Sequence, residues 1–354
     1  MEQALAELTE RVRAARAART PLHVRAGGTK DFYGAPARGE RLDPRPYRGI
    51  VSYEPTELVV TARCGTALAE LEAELDAHGQ MLPFEPPHFG SGATVGGCVA
   101  AGLSGPRRAT AGAVRDFVLG AVLLDGSAQV LRFGGTVMKN VAGYDVARLL
   151  AGSMGTLGVI LQASIKVLPV PVQELTLQLE MDEPGALARM NAWAAQPMPI
   201  SATCWYGGRQ AVRLSGSGAA VRAARERIGG EPLEAEAAAQ LWSGVREQTA
   251  PFFQGPAPLW RFSVPSTAPA LKAAGERLIE WGGALRWLRS SEPAAALRER
   301  AAAVGGHATL FRGGEPSAAA FTPLAPAIAT IHRRLKAQFD PDSILNPGRM
   351  FEDL

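Results

Sequence analysis

Three glycine-rich loops fall within the first 160 residues, and they constrain this chain more than any other feature. The first, Arg25-Ala26-Gly27-Gly28-Thr29-Lys30, follows the short apolar strand 21–25. Successive glycines after a strand let backbone N–H groups converge as an anion-binding nest, and Thr29 adds a hydroxyl donor. The second, Gly90-Ser-Gly92-Ala-Thr94-Val95-Gly96-Gly97-Cys98, opens a short helix over 95–101. Glycine there permits close approach of a phosphate to a helix start. The third joins Gly143-Tyr144-Asp145 to Gly152-Ser153-Met154-Gly155-Thr156-Leu157-Gly158-Val159 and runs into a strand. The first two loops, taken singly, also read as turns without a ligand. Three together point to one large diphosphate-bearing cofactor. The dinucleotide fingerprint of a Rossmann fold is absent: the second loop reads G-x-G-x-x-x-G, with Val95 in the place of the third glycine.

Periodicity supplies the frame. Leu5, Leu8, Val12 and Ala15 recur at helical spacing, giving a helix over 2–18. Strands are expected at 49–52, 57–63, 114–124, 128–133 and 157–168, with a hairpin turn at Asp125-Gly126. A helix is expected over 66–78. Pro169-Val170-Pro171 breaks the chain and marks a domain boundary. Beyond it, Leu175, Leu177, Leu179 and Met181 alternate with polar residues, as in a strand with one buried face. Strands at 199–206, 210–215, 258–264, 284–289 and 307–312 follow. They are interleaved with helices at 184–196, 218–228, 233–250, 268–280, 293–303 and 325–339. The order implies an antiparallel α+β sandwich, with two similar βαβ-like units as one form of it. The expected domains are 1–170, 171–324 and a C-terminal helix and tail over 325–354.

Composition excludes several classes. The formal charge of +3 over 354 residues, with no basic run, gives no nucleic-acid footprint. Cys64, Cys98 and Cys204 lie too far apart in sequence for a zinc or iron–sulfur framework, so no metal site is expected. The charged N-terminus is no signal peptide, and the longest apolar run, 117–124, is too short to span a bilayer. A cytoplasmic setting is expected, peripheral at the inner membrane only through partners.

The order R-x-G-G-T, T-V-G-G, K-N-x-x-G-Y-D-x-x-x-L-x-x-G-S-x-G-T-L-G-V-I and L-N-P-G-R resembles the vanillyl-alcohol-oxidase, or PCMH-type, FAD-binding family over residues 1–170 and the last 25. Pro86-Pro87-His88-Phe89, Leu103-Ser-Gly-Pro-Arg107-Arg108 and Met138-Lys139-Asn140-Val-Ala-Gly-Tyr144 are similar to the FAD subunits of glycolate oxidase (glycolate dehydrogenase). The implied fold is α+β: a PCMH-type FAD-binding domain of two α/β subdomains, plus a smaller antiparallel α+β cap.

The resemblance also implies roles. Ala26, Gly27, Gly28, Thr29 and Lys30 would wrap the FAD pyrophosphate. Gly92, Thr94, Val95, Gly96 and Gly97 would close over the diphosphate and ribityl chain. Asp145, Ser153, Gly155, Thr156, Leu157, Gly158 and Val159 would stand around the flavin, and Asn346 would return the tail to its edge. Members with covalent FAD carry His in the first loop; Thr29 and Lys30 stand there, so non-covalent binding is implied. Glycolate would be oxidised to glyoxylate, a base taking the hydroxyl proton while hydride passes to the flavin. A second FAD subunit and an iron–sulfur subunit would take the electrons onward.

Two departures bear on catalysis. Relatives acting on 2-hydroxy acids read G-S-E-G-T-L-G, where this chain has Met154, and they carry several histidines in the cap. His307 stands as a remnant of that set or as a strand-edge residue, and Arg312 as a carboxylate partner or a surface ion pair. His88 reads as a loop anchor. A non-catalytic FAD-holding or electron-relay subunit, and a stand-alone flavin oxidoreductase, are the alternatives.

Overall fold

The structure, a computed structural model, describes residues 2–136, 145–314 and 319–354. It divides into two compact units: Met1–Leu103 with Ala113–Val170 and Pro323–Leu354, and Ser104–Gly112 with Pro171–Thr322. The motif residues 138–144 lie outside the described residues.

In the first unit, a five-stranded antiparallel sheet runs in the order Ile50–Glu54, Val59–Arg63, Val159–Lys166, Val118–Leu124, Val130–Gly134. Its middle strand is buried at six of eight positions, which is why 157–168 reads as a nearly continuous apolar run. Beside it, Leu22–Val24 pairs in parallel with Glu40–Leu42. The C-terminal tail extends this pair: the Leu22 N–H donates to the Ile344 carbonyl at 2.6 Å, and the Asn346 N–H to the Leu22 carbonyl at 2.9 Å. Helix Glu2–Ala18 lays Leu8, Val12 and Ala15 on Leu22, Leu42, Leu124, Leu161, Ile344 and Leu345. Both ends of the chain therefore share one core, each fully buried leucine contributing roughly 1.5–3 kcal/mol.

Local chemistry moves two expected boundaries. The helix expected from residue 66 runs over Leu68–Ala77, because the Thr66 hydroxyl donates to the Arg63 carbonyl (2.6 Å) and accepts the Gly49 N–H (2.8 Å). The expected strand 114–124 begins as a helical turn, Val114–Phe117, with the Asp116 carboxylate accepting the Ala113 N–H at 2.8 Å.

The second unit is one eight-stranded antiparallel sheet. Its order is Glu231–Pro232, Gln173–Glu180, Arg209–Gly216, Ile200–Tyr206, Glu276–Glu280, Leu285–Arg289, Leu259–Ser263, His307–Arg312. Numbered along the chain, the first four strands stand 4-1-3-2 and the last four 2-3-1-4. These are two split βαβ units, joined through their second strands where Trp205 pairs with Ile279. Helices Glu183–Ala194 and Gly218–Ile228 serve the first half; Ala294–Ala303 serves the second. The helix expected at 268–280 does not form. Its C-terminal part is the strand Glu276–Glu280, and the carbonyls of Ala268 and Pro269 are held by the buried Arg286 guanidinium instead of by helical N–H groups. Residues 104–112 group with this unit: the Trp281 indole N–H donates to the Gly105 carbonyl (3.0 Å) and the Thr110 hydroxyl to the Ser201 carbonyl (3.0 Å).

Helix Pro326–Phe339 returns the chain to the first unit through a buried lysine. Lys336 Nζ donates to Asp340 Oδ2 (2.7 Å), the Thr156 carbonyl (2.7 Å) and the Leu345 carbonyl (2.8 Å). Burial pulls the Lys336 pKa down, and the Asp340 carboxylate opposes that shift. Asp340, fully buried, also accepts the Leu345 N–H at 2.7 Å. Lys336→Met removes one partner and leaves a buried carboxylate uncompensated. It is expected to lower unfolding free energy by about 3–5 kcal/mol, read from urea denaturation; a change below about 1 kcal/mol contradicts the role assigned to this pair.

Candidate cofactor site

The three glycine loops of the sequence do converge. They surround a cleft of about 600 Å³, counted to its open mouth, lined by residues 23–31 together with Gly92, Thr94, Gly97, Met154, Asn346 and Arg349. A deeper chamber of about 430 Å³ shares Val24, Ala26, Thr94, Gly97, Ala100 and Met154 with it and ends at Cys64, Gly155, Gly158 and Val159.

The first loop is held open by its surroundings. Arg25 Nε pairs with Asp31 Oδ2 at 2.6 Å, closing the loop across its base. The Arg25 N–H goes to the Leu42 carbonyl and the Asp31 N–H to the Gly28 carbonyl. Arg349 donates to the carbonyls of Lys30 (3.3 Å), Asp31 (3.0 Å) and Ala35, so the loop's C=O groups turn toward the tail. Among the described residues, the N–H groups of Ala26, Gly27, Gly28 and Thr29 have no acceptor. Four consecutive donors without partners are the physical content of an anion nest. Gly28 needs its positive φ of 72°. Gly27 needs its missing side chain: a Cβ there would lie 1.5 Å from the Gly92 carbonyl oxygen. Loops one and two are thus in backbone contact.

The second loop corrects an expectation. Helix Val95–Ala101 forms, with Thr94 as its cap accepting the Gly97 N–H at 3.1 Å. Its other leading N–H groups are also taken: Val95 donates to the Thr66 carbonyl (3.0 Å) and Gly96 to the Cys64 carbonyl (2.9 Å). The helix start therefore has no donors left for a phosphate. Gly96 is small because Cys64 presses on it, a Cβ there meeting Cys64 Cβ at 2.7 Å. Gly92, Thr94, Gly96 and Gly97 line the cavity through surface and shape, whereas Val95 is fully buried behind it.

The third loop divides similarly. Gly155, Gly158 and Val159 line the deep chamber, and among the described residues the N–H groups of Gly155 and Gly158 have no acceptor. Ser153, Thr156 and Leu157 stand behind the wall rather than on it. The Thr156 hydroxyl is spent on the Ser153 carbonyl at 2.7 Å. Asp145 does not reach the cavity: its exposed carboxylate caps helix Val146–Leu149, accepting the Arg148 N–H at 3.3 Å and pairing with Arg148 Nε at 2.9 Å.

Asn346 lines the cleft and fastens it. Its Oδ1 accepts the Val24 N–H (2.7 Å), and its Nδ2 donates to the Met154 carbonyl (2.7 Å). Met154 and Asn346 both sit at positive φ, 53° and 42°, a strained backbone held by that bond. Met154 belongs to both chambers, so the departure seen in the sequence stands on the cavity wall itself. Arg349 and His23 are wall residues that sequence reasoning missed. Arg349 was legible as the last letter of the tail motif; His23 lay hidden in an ordinary strand. Desolvation lowers the His23 pKa, as do the charges of Arg349, Arg25 and Arg41, while Asp31 acts against them. Lys30 Nζ reaches the His88 carbonyl at 3.2 Å, and His88 Nε2 meets Glu72 Oε2 at 2.7 Å, so His88 anchors its loop.

His307 and Arg312 lie in the second unit, at opposite ends of the edge strand His307–Arg312. Five residues at about 3.3 Å each set them roughly 17 Å apart. They do not form one site. Among the described residues, no group of His, Cys, Asp and Glu has the arrangement of a metal site.

The orphaned donors, the Gly27–Gly92 contact and the two linked chambers fit an elongated diphosphate cofactor, and the comparisons agree. A family described as "FAD binding domain" matches residues 3–134. The chain is 49% identical over 347 residues to glycolate oxidase subunit GlcE of Escherichia coli (strain K12), covering 98% of this chain and 97% of that protein. It is 38% identical over 160 residues to a D-lactate dehydrogenase of Archaeoglobus fulgidus, 42% of this chain and 33% of that one. It is also 31% identical over 128 residues to glycolate oxidase subunit GlcD of Bacillus subtilis (strain 168), 36% of this chain and 26% of that one. A solved alkyldihydroxyacetonephosphate synthase shares the fold, with a TM-score of 0.67 at 15% identity, over 97% of this chain and 75% of that one. Gly28→Asp should place a carboxylate and a strained backbone in the nest. We expect at least a tenfold loss of FAD affinity with unchanged far-UV circular dichroism; a folded variant with normal flavin content would locate the diphosphate elsewhere.

Proposed function

The chain belongs to the GlcE family of PCMH-type FAD-binding glycolate oxidase subunits, and from that premise we propose that it is the FAD-holding subunit of a complex oxidising glycolate, a 2-hydroxy acid, to glyoxylate. The single observation that carries the cofactor assignment is the row of four N–H groups, Ala26 to Thr29, that have no acceptor among the described residues, against the Gly27–Gly92 contact. FAD, when bound, supplies the acceptor for the hydride.

The protein's own contribution is placement. The N–H groups of residues 26–29 take the diphosphate oxygens without spending a mobile side chain. Gly155 and Gly158 offer further N–H groups in the deep chamber, and Met154, Val159 and Ile160 keep that chamber apolar. Binding is non-covalent in this reading. Thr29 is a poor nucleophile, Lys30 is engaged with the His88 carbonyl, and burial pushes the Cys64 thiol pKa far up, keeping it protonated.

Electrons must leave through a partner. Cys64, Cys98 and Cys204 are all free and buried, and no helix among the described residues is long and apolar enough to cross a membrane. A second flavoprotein subunit and an iron–sulfur subunit fit that need. The relatives named as subunits, GlcE and GlcD, support assembly.

One observation favours a second reading, in which the chain holds FAD and relays electrons without touching glycolate: Met154 occupies the cavity wall where an acid would stand. Anaerobic mixing decides between them. In the catalytic reading the yellow of the isolated chain bleaches on adding glycolate, and acid precipitation leaves the flavin in the supernatant. If the flavin stays oxidised until a partner flavoprotein is added, the relay reading holds. A colourless chain that ignores added FAD refutes both.

A further inference from the structure

The second half of the eight-stranded sheet has two unlike faces. Trp260, Phe262, Ala308, Leu310 and Leu288 are buried with Leu297 and Ala301 of helix Ala294–Ala303. The alternate residues turn the other way, and register makes four of them neighbours. Arg261 pairs with Thr309, and Ser263 pairs with His307, on adjacent antiparallel strands. Side chains of directly paired residues lie on one face with Cβ atoms about 5 Å apart, and i, i+2 residues share that face. The result is a two-by-two patch holding one guanidinium, one imidazole and two hydroxyls, on the side away from the helix.

Arg261 is prepared for an anion. Its guanidinium lies 5.3 Å from the centroid of the Trp281 ring, and that of Arg108 lies 4.4 Å from the same ring. Trp281 is itself fixed, with its indole N–H on the Gly105 carbonyl, the Gly282 N–H on the Thr203 hydroxyl (3.0 Å), and a φ of 55° that a bulky residue rarely adopts. Among the described residues, Arg261 has no hydrogen bond or ion pair with the protein, whereas Arg286 and Arg289 on the neighbouring strand are consumed by backbone carbonyls. Partial withdrawal of the ring from water lowers the His307 pKa, and the nearby Arg261 charge lowers it further.

We propose that Arg261, with Thr309, Ser263 and His307, forms the binding site for the carboxylate and 2-hydroxyl of a small 2-hydroxy acid, Trp281 serving as the platform that orients the guanidinium. A planar fork with two parallel N–H donors matches a carboxylate, and an imidazole beside two hydroxyls matches an alcohol. This rests on the proposed function and gives it a substrate subsite. It also replaces Arg312, at the far end of the strand, with Arg261 as the partner of His307.

Oxalate, a redox-inert dicarboxylate of glycolate's size, is the probe. Isothermal titration of the FAD-loaded chain should show 1:1 binding. Arg261→Met should weaken it at least tenfold, and Arg261→Lys should restore part of the loss, with flavin content unchanged in both. Trp281→Leu should weaken it less, through a loosened Arg261. Oxalate affinity that ignores Arg261→Met while FAD is retained overturns this site and leaves the flavin reading standing. Loss with Arg312→Met but not with Arg261→Met overturns it in favour of the other end of the strand. No oxalate or glycolate binding by the FAD-loaded chain overturns it as well; a chain that holds no FAD removes the reading on which it rests.

Discussion

The C-terminal tail is the interaction on which the cofactor cavity depends. Arg349 holds the carbonyls of Lys30, Asp31 and Ala35, and residues 26–29, which line the cleft, keep N–H groups without an acceptor among the described residues. Asn346 ties strand Leu22–Val24 to Met154, and Lys336 ties Thr156 to Leu345. The first and third glycine loops lie about 130 residues apart in sequence, and the tail bonds to both, at Lys30 and at Met154. The tail fixes their relative position. Its groups sit in a low-dielectric interior, where an unmatched Lys336 or Asp340 would cost several kcal/mol, so the arrangement is made as a whole or not at all.

Much of this was legible in the sequence. Glycine pairs after apolar runs marked the first loop, because only glycine meets both demands there: a positive φ at Gly28 and a bare Cα at Gly27. Strands with alternation or a continuous apolar run, such as 173–180 and 159–166, announced themselves by burial alone. What stayed hidden was set by partners far along the chain. The sequence 268–280 has helical composition, yet Arg286 claims its first carbonyls, and the slot between Ile200–Tyr206 and Leu285–Arg289 claims its last five residues as a strand. Asp145 looked like a ligand because it follows Gly-Tyr, but a local Arg148 N–H outbids any distant cofactor. The start of helix Val95–Ala101 has the sequence of a phosphate site, but Cys64, Thr66 and Thr94 take its leading N–H groups.

The second unit shows the same contest at larger scale. Its two halves repeat one strand order, but the second lacks the helix between its first and second strands. Arg286 in the second half fills that role, a buried guanidinium with donors pointed at loop carbonyls. Exchanging a helix for an arginine keeps the covered face of the sheet satisfied at the cost of a desolvated charge, which is why the Arg286 pKa is pulled down. The opposite face is relieved of any packing duty at Arg261 and Ser263, and polar groups can gather there.

Charge and donors divide their work in the cofactor cleft. Arg25, Arg41 and Arg349 surround the first loop, yet each is engaged: with Asp31, with Asp43, or with backbone carbonyls. They are positioned to add field rather than direct contacts. Their field is visible at His23, where the three guanidiniums oppose protonation of the ring alongside its desolvation. A diphosphate entering the cleft would therefore meet fixed N–H donors for its oxygens and a standing positive potential for its charge. Neither needs a side chain to reorganise. Preorganisation of that kind favours binding, since every group ordered in advance is an entropic cost the cofactor does not bear.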